Sequence, residues 1–146
     1  MVDLFQNLTM PSTYSIAYIS RANENLDNDE IKELLDYAAT KNNVVGVKGM
    51  ILFKDGNFLQ VLEGEENQIV NLYEKIQSDE RHTDLHEVFN EKSPFALFED
   101  YNSKFNLITS SSELVALKSF FRRRKIVGFE SDVSKELDVF LGMNWF

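Results

Sequence analysis

The stretch Gly56–Gly64, Gly-Asn-Phe-Leu-Gln-Val-Leu-Glu-Gly, constrains the fold more than any other part of the chain. Alternation places Phe58, Gln60 and Leu62 on one face of a strand and Leu59 and Val61 on the other. Both faces are apolar, so the strand belongs inside a sheet that is covered on both sides. Gln60 breaks the pattern. A buried carboxamide needs partners for one acceptor oxygen and two donor hydrogens, and each group left unpaired costs about 1–3 kcal/mol. Something placed against Phe58 and Leu62 must supply those partners.

The flanking segments say what builds the sheet. Residues 13–20 alternate, with Tyr14, Ile16 and Tyr18 on one side and Ser15, Ala17 and Ile19 on the other, and read as a first strand. A polar loop then leads to a helix over about 29–41 with Ile31, Leu34, Leu35 and Ala38 on one stripe. Residues 46–54 form a second strand, and Asp55-Gly56 is a hairpin signal into the third. After Gly64 a second helix, 65–78, shows Ile69, Leu72, Tyr73 and Ile76 at helical spacing. Strands over 85–92 and 104–109 follow, with a loop through Tyr101 between them. The order βαββαββ predicts an α+β fold: a ferredoxin-like sheet with two helices on one face. The other face needs a cover, and the tail offers a two-helix cap. One helix runs from Ser111 or Ser112 to about Arg124 with Leu114, Leu117, Phe120 and Phe121; the second starts near Asp132 with Val133, Leu137 and Phe140. The expected organisation is an N-terminal arm over 1–12, a domain over 13–109 and a helical cap over 110–146.

Composition narrows the function classes. A formal net charge of −9 argues against nucleic acid and anionic membrane surfaces as partners. With no cysteine there is no disulfide framework and no thiolate chemistry. No run of apolar residues is long enough to span a bilayer and the first twelve residues lack a secretion signal, so a cytoplasmic protein is expected. His82 and His86 are spaced for a metal pair only on a helix; here they read as surface or capping residues. Arg122, Arg123, Arg124 and Lys125 read as a solvated helix end, with a docking patch as the alternative.

On position alone Tyr18 reads as a core aromatic, and Asn42 and Asn43 as helix terminators. Pointed into one space, Tyr18, Asn42 and Gln60 make a neutral hydrogen-bonding site. Such a site suits a planar ligand with imide-like edges rather than acid–base hydrolysis.

The spread of Tyr18, Asn42, "GVKGMILFKDGNFLQVLEG" and "ERH" resembles the BLUF family, blue-light sensors using flavin, over roughly residues 13–108. The resemblance implies an isoalloxazine ring between the two helices on the sheet, with Gln60 between Tyr18 and the ring. Asn42 would hold the carbonyl edge of the ring. Leu34 and Ile76 would pack on its faces, and Lys41 and Arg81 would meet a phosphate. It implies FAD as the cofactor, with FMN or riboflavin also accommodated. It further implies that light drives an electron and then a proton from Tyr18, and that Gln60 rearranges and shifts the absorption slightly to the red. The family's Trp and Met near the last strand align with Tyr101 and Ser103, which are therefore expected beside the switching Gln60. A chain of this length leaves no room after residue 108 for a cyclase or phosphodiesterase. The output is thus expected through a downstream protein or a homo-oligomer interface rather than through enzymatic activity. Two other classes compete: a flavin-free regulatory or interaction module, and an acylphosphatase-like hydrolase using Arg21 and Asn57.

Overall fold

The computed structural model describes residues 13–93, 96–124 and 138–139. Among them the elements run β1 (Thr13–Ala22), α1 (Asn28–Val45), β2 (Lys48–Lys54), β3 (Asn57–Gly64), α2 (Glu66–Gln77), β4 (His82–Ser93), α3 (Leu97–Tyr101), β5 (Phe105–Ile108) and α4 (Ser111–Arg124). The proposed arm, 1–12, and nearly all of the second tail helix lie outside the described residues.

Local chemistry fixes the element ends. Asp27 caps α1 in a reciprocal box: Glu30 N–H donates to Asp27 Oδ1 at 2.8 Å and Asp27 N–H to Glu30 Oε1 at 3.2 Å. At the other end Gly46 takes φ 80° as a left-handed cap. The helix therefore continues through Asn42–Val45, four residues past the expected end. The β2–β3 turn is the two-residue hairpin expected, with Asp55 and Gly56 both at positive φ. Glu65 caps α2, its carboxylate accepting from Asn67 and Gln68 N–H at 3.0 Å each.

The strand order is β4-β1-β3-β2-β5. The first four strands pair antiparallel in the ferredoxin-like order, and β5 adds at the edge parallel to β2. β3 is central, as its two apolar faces require. One face packs Ile16, Ile51, Phe58 and Leu62 against Ile31 and Leu35 of α1 and Ile69 and Tyr73 of α2. The other packs Met50, Leu52, Leu59 and Val61 against Leu97 and Phe98 of α3 and Leu114 and Leu117 of α4. Each of the two α4 leucines is fully buried, which stabilises the docked helix by about 1.5–3 kcal/mol apiece. Gly49 marks a close approach. Its φ is 137°, and a Cβ there would sit 1.9 Å from the Val61 carbonyl oxygen.

Two expectations need correction. The segment through Tyr101 is not a plain loop: residues 97–101 form α3, and β5 begins only at Phe105. β4 starts at His82, three residues earlier than the pattern suggested, because pairing with β1 extends to Ala22↔His82.

Candidate functional site

β1 and β3 pair so that Tyr18 stands directly opposite Gln60, and β2 places Ile51 on the other side of Gln60. All three side chains point to the face covered by α1 and α2. Tyr18 and Gln60 are each 3% exposed. Gln60 Nε2 donates to the Tyr18 hydroxyl. That contact uses one donor of the amide, and the residue borders a cavity between the two helices. The cavity is open at its mouth and encloses about 170 Å³.

Flat apolar walls close it from both sides. Leu34 and Ala38 come from α1, Leu72 and Ile76 from α2, and Ile51 and Phe58 from the sheet. The helical spacing that made these residues core-facing also lines them up along the slot. Asn42, buried at the end of α1, borders the same space. Its backbone carbonyl accepts from Val47 N–H at 2.9 Å, which fixes the residue at the helix end. Lys41, Lys75 and Arg81 stand around the cavity with Asp79, whose Oδ2 accepts from Arg81 at 2.6 Å. That bidentate bond holds the Asp79 carboxyl below its ordinary range.

Burial drives the Tyr18 phenol well above the usual tyrosine range, and the Gln60 bond offsets only part of this. Tyr18 is thus a neutral phenol at physiological pH, its oxygen accepting from the Gln60 amide. The Tyr73 ring lies 5.8 Å away, centroid to centroid. Its phenol is also raised, first by burial and then by Glu87.

The cavity brings together Tyr18, Leu34, Lys41, Asn42, Gln60, Ile76 and Arg81, all of which the sequence singled out. It does not bring in Tyr101 or Ser103, and this corrects the expectation that they neighbour Gln60. Tyr101 ends α3 on the opposite face of the sheet, its ring 5.0 Å from Phe120. Ser103 is exposed at φ 58°, with its N–H donating to the Phe98 carbonyl at 2.8 Å. The physical reason is α3 itself. The Glu63 carboxylate, buried on the far face, accepts from Phe98 and Glu99 N–H at 3.1 Å and pins the start of that short helix there. The β5 side chains packed on the Gln60 face are Phe105 and Leu107, and Leu107 continues the row Tyr18–Gln60–Ile51.

Sequence reasoning placed His82 at the surface or in a cap. It does cap α2, with Nε2 2.6 Å from the Ile76 carbonyl oxygen, and its Nδ1 lies 2.7 Å from Ser20 Oγ. It also borders the cavity, its ring 6.0 Å from Tyr18. Position in "ERH", directly after α2, was the available signal. Tyr37 at the mouth was missed as well. Arg21 and Asn57 do pair in register, but the Asn57 amide donates to the Asp55 carbonyl within the turn. Among the described residues no cluster of His, Asp and Glu could hold a metal, and no helix is long and apolar enough to cross a membrane.

Comparison with known proteins gives the same family from three directions. The family described as "BLUF: Sensors of blue-light using FAD" matches residues 13–104. Curated relatives include the photoactivated adenylate cyclase subunit beta of Euglena gracilis, 29% identical over 102 residues, 70% of this chain and 12% of that one. The subunit beta of Euglena longa is 35% identical over 71 residues, 49% of this chain and 8% of that one. The blue light- and temperature-regulated antirepressor BluF of Escherichia coli K12 is 30% identical over 84 residues, 58% of this chain and 21% of that one. The chain therefore spans a small part of the curated relatives it matches. Among solved structures, BlrB, a BLUF protein in its dark state, superposes with TM-score 0.62 at 25% identity, covering 89% of this chain and 96% of that one. The BlrP1 BLUF structure shares the fold, with TM-score 0.68 at 22% identity over 91% of this chain and 92% of that one. With the family match spanning well over half of its residues, the chain belongs to the BLUF family of flavin-based blue-light sensors.

Proposed function

We propose that this chain is a blue-light receptor in which Tyr18 and Gln60 form a hydrogen-bond switch against a flavin held in the α1–α2 cavity. The observation that carries the reading is Gln60: a carboxamide 3% exposed that donates to Tyr18 and lines the cavity. The residues fit the ligand. A planar heterocycle between Leu34 and Ala38 on one side and Leu72 and Ile76 on the other would meet two carboxamides, Gln60 and Asn42, at its polar edge. Lys41, Lys75 and Arg81 stand where a phosphate-bearing tail would leave. When bound, the flavin supplies blue-light absorption and an excited state able to accept an electron.

The chain supplies the rest. Tyr18 is a neutral, buried phenol and serves as donor of the electron and, through its hydroxyl, of the proton. Gln60 sits between that hydroxyl and the cavity. Turning its amide end for end replaces a donor by an acceptor on each side, so one rotation records the event. The apolar walls keep water from competing with those bonds. Asn42 holds orientation from the end of α1. The altered register of bonds along Tyr18–Gln60–Ile51–Leu107 reaches β5, which makes β5 and the α4 helix after it the route to a downstream protein or a second copy of the chain. Family members are linked to effectors such as the adenylate cyclases named above, and the sensor itself is not the enzyme.

Purified protein tests this directly. It should be yellow, and its flavin bands should move slightly to the red under blue light and return in darkness. A colourless preparation, or a flavin spectrum that does not respond to light, rejects the proposal.

A further inference from the structure

Tyr73 carries a hydroxyl that the fold does not use. The residue is 3% exposed, in the core between α2 and the sheet. Its phenolic oxygen is buried and meets no hydrogen-bond partner among the described residues. A buried polar group left unpaired costs stability, and packing at this position needs only the ring. Phenylalanine would fill it, and the chain uses twelve of them elsewhere. What the hydroxyl adds is redox chemistry, because a phenol gives up an electron far more readily than a plain benzene ring. The Tyr73 ring lies against Tyr18, centroids 5.8 Å apart and planes inclined at 39°, the spacing of rings in contact. Tyr73 stays off the cavity lining, so it reaches the ligand site through Tyr18.

Register brings a proton acceptor to the same spot. Glu87 of β4 is the cross-strand partner of Tyr18, so the two side chains share a face. Leu85, two residues earlier on that face, packs in the same core as Tyr73. Glu87 Oε1 accepts from Asn90 Nδ2 at 3.1 Å, and Asn90 Oδ1 accepts from the Tyr14 hydroxyl, which holds the carboxylate in place. Burial first, and this carboxylate second, push the Tyr73 phenol upward. We infer that Tyr73 is a second redox side chain, which refills Tyr18 with an electron while Glu87 takes the Tyr73 phenolic proton, and which thereby discards part of the light events before Gln60 turns. The inference rests on the Tyr18–Gln60 switch proposed above and adds a branch to it. Having given one electron to the excited flavin, Tyr18 is a radical cation. Before its own proton leaves, one electron passes from Tyr73 to Tyr18 and restores the intact phenol. The Tyr73 O–H bond breaks, its proton joins a Glu87 carboxylate oxygen, and a neutral tyrosyl radical remains at Tyr73. When the electron returns from the cofactor to Tyr73, the proton returns from Glu87, and the dark state is regained with Gln60 unrotated.

Two variants test the branch. Tyr73→Phe keeps the ring and removes the unpaired hydroxyl, so core packing is retained. Glu87→Gln keeps the size of the side chain and removes the proton acceptor. The full chain, loaded with FAD at matched flavin content, is excited by a blue pulse. Transient absorption follows the tyrosyl radical, and the red shift gives the quantum yield. The wild type should show a fast and a slow radical decay, the slow one belonging to Tyr73. Tyr73→Phe should lose the slow component. Its yield should rise by up to about twofold, since two routes with equal barriers split the events evenly. Glu87→Gln should change both quantities in the same direction. A Tyr73→Phe protein that keeps the slow component, or whose yield equals or falls below the wild type's, overturns the inference, as does wild-type behaviour in Glu87→Gln. Those results leave the Tyr18–Gln60 switch standing. A wild type that binds no flavin, or whose bands do not move under blue light, overturns the switch and this branch together.

Discussion

Replacing Asn43 with alanine should release β5 from the rest of the sheet. β5 has four residues, lies at the sheet edge and pairs only with β2. On its open side Asn43 does the work of a neighbouring strand. Its Nδ2 donates to the Phe105 carbonyl at 3.0 Å, and its Oδ1 accepts from Phe105 N–H at 2.8 Å. Each bond contributes about 1 kcal/mol net, so the pair contributes about 2 kcal/mol. Alanine is the better helix former by about 0.5 kcal/mol, which offsets part of the loss. The expected cost is therefore about 1.5 kcal/mol, about a twelvefold change in the opening equilibrium. Urea unfolding should show a lower midpoint at an unchanged slope. Amide exchange at Phe105 should accelerate more than exchange at Ile51, which sits in the interior of the sheet. A destabilisation below about 0.5 kcal/mol, with Phe105 exchanging at the wild-type rate, would refute the clamp. Because Asn42 borders the cavity and Asn43 grips β5, this pair joins the cavity to that strand through one peptide bond and two hydrogen bonds.

Two further substitutions probe the frame. Burial pushes the Glu63 carboxyl above its ordinary value of 4.5, against the pull of backbone N–H bonds from α3. A folded value above the unfolded one means that Glu63 adds stability below pH 4.5, and that this share is lost as pH rises through the folded value. Glu63→Gln keeps an acceptor for Phe98 and Glu99 and should flatten that dependence in urea midpoints followed from about pH 4 to pH 8; an unchanged slope against pH contradicts the assignment. Gly49→Ala forces a methyl to within 1.9 Å of a backbone oxygen at φ 137°, and should cost at least about 3 kcal/mol. A melting temperature equal to the wild type's would show that the β2–β3 contact is looser than described.

Where the signals were local, the sequence read well. Alternation in Phe58–Leu62, the Asp55-Gly56 turn and the helical stripes of α1 and α2 placed the central strand, its hairpin and the covering helices. Each is set by neighbours within a few residues. Gln60 was visible because a polar group between two buried apolar ones has few other uses, whereas Leu34, Lys41, Ile76 and Arg81 were flagged for the site by the family resemblance. What could not be read depends on partners far along the chain. Asn43 looked like a helix end, but it meets Phe105, 62 positions away. His82 looked superficial, yet its ring nitrogens engage Ser20 and Ile76 from two other elements. Tyr101 and Ser103 were placed beside Gln60 by alignment to a family pattern. The five residues of α3 are too few for a periodic signal, and the buried Glu63 that anchors them lies 35 positions upstream of Phe98.

The central claim concerns a single carboxamide, and one spectrum tests it. Gln60→Leu leaves a slightly shorter aliphatic side chain and removes the hydrogen bonds of the amide. Light-minus-dark absorbance of that variant, recorded beside the wild type at matched flavin content, should show flavin bound and no red shift. A Gln60→Leu protein that still shifts and recovers as the wild type does would contradict the account.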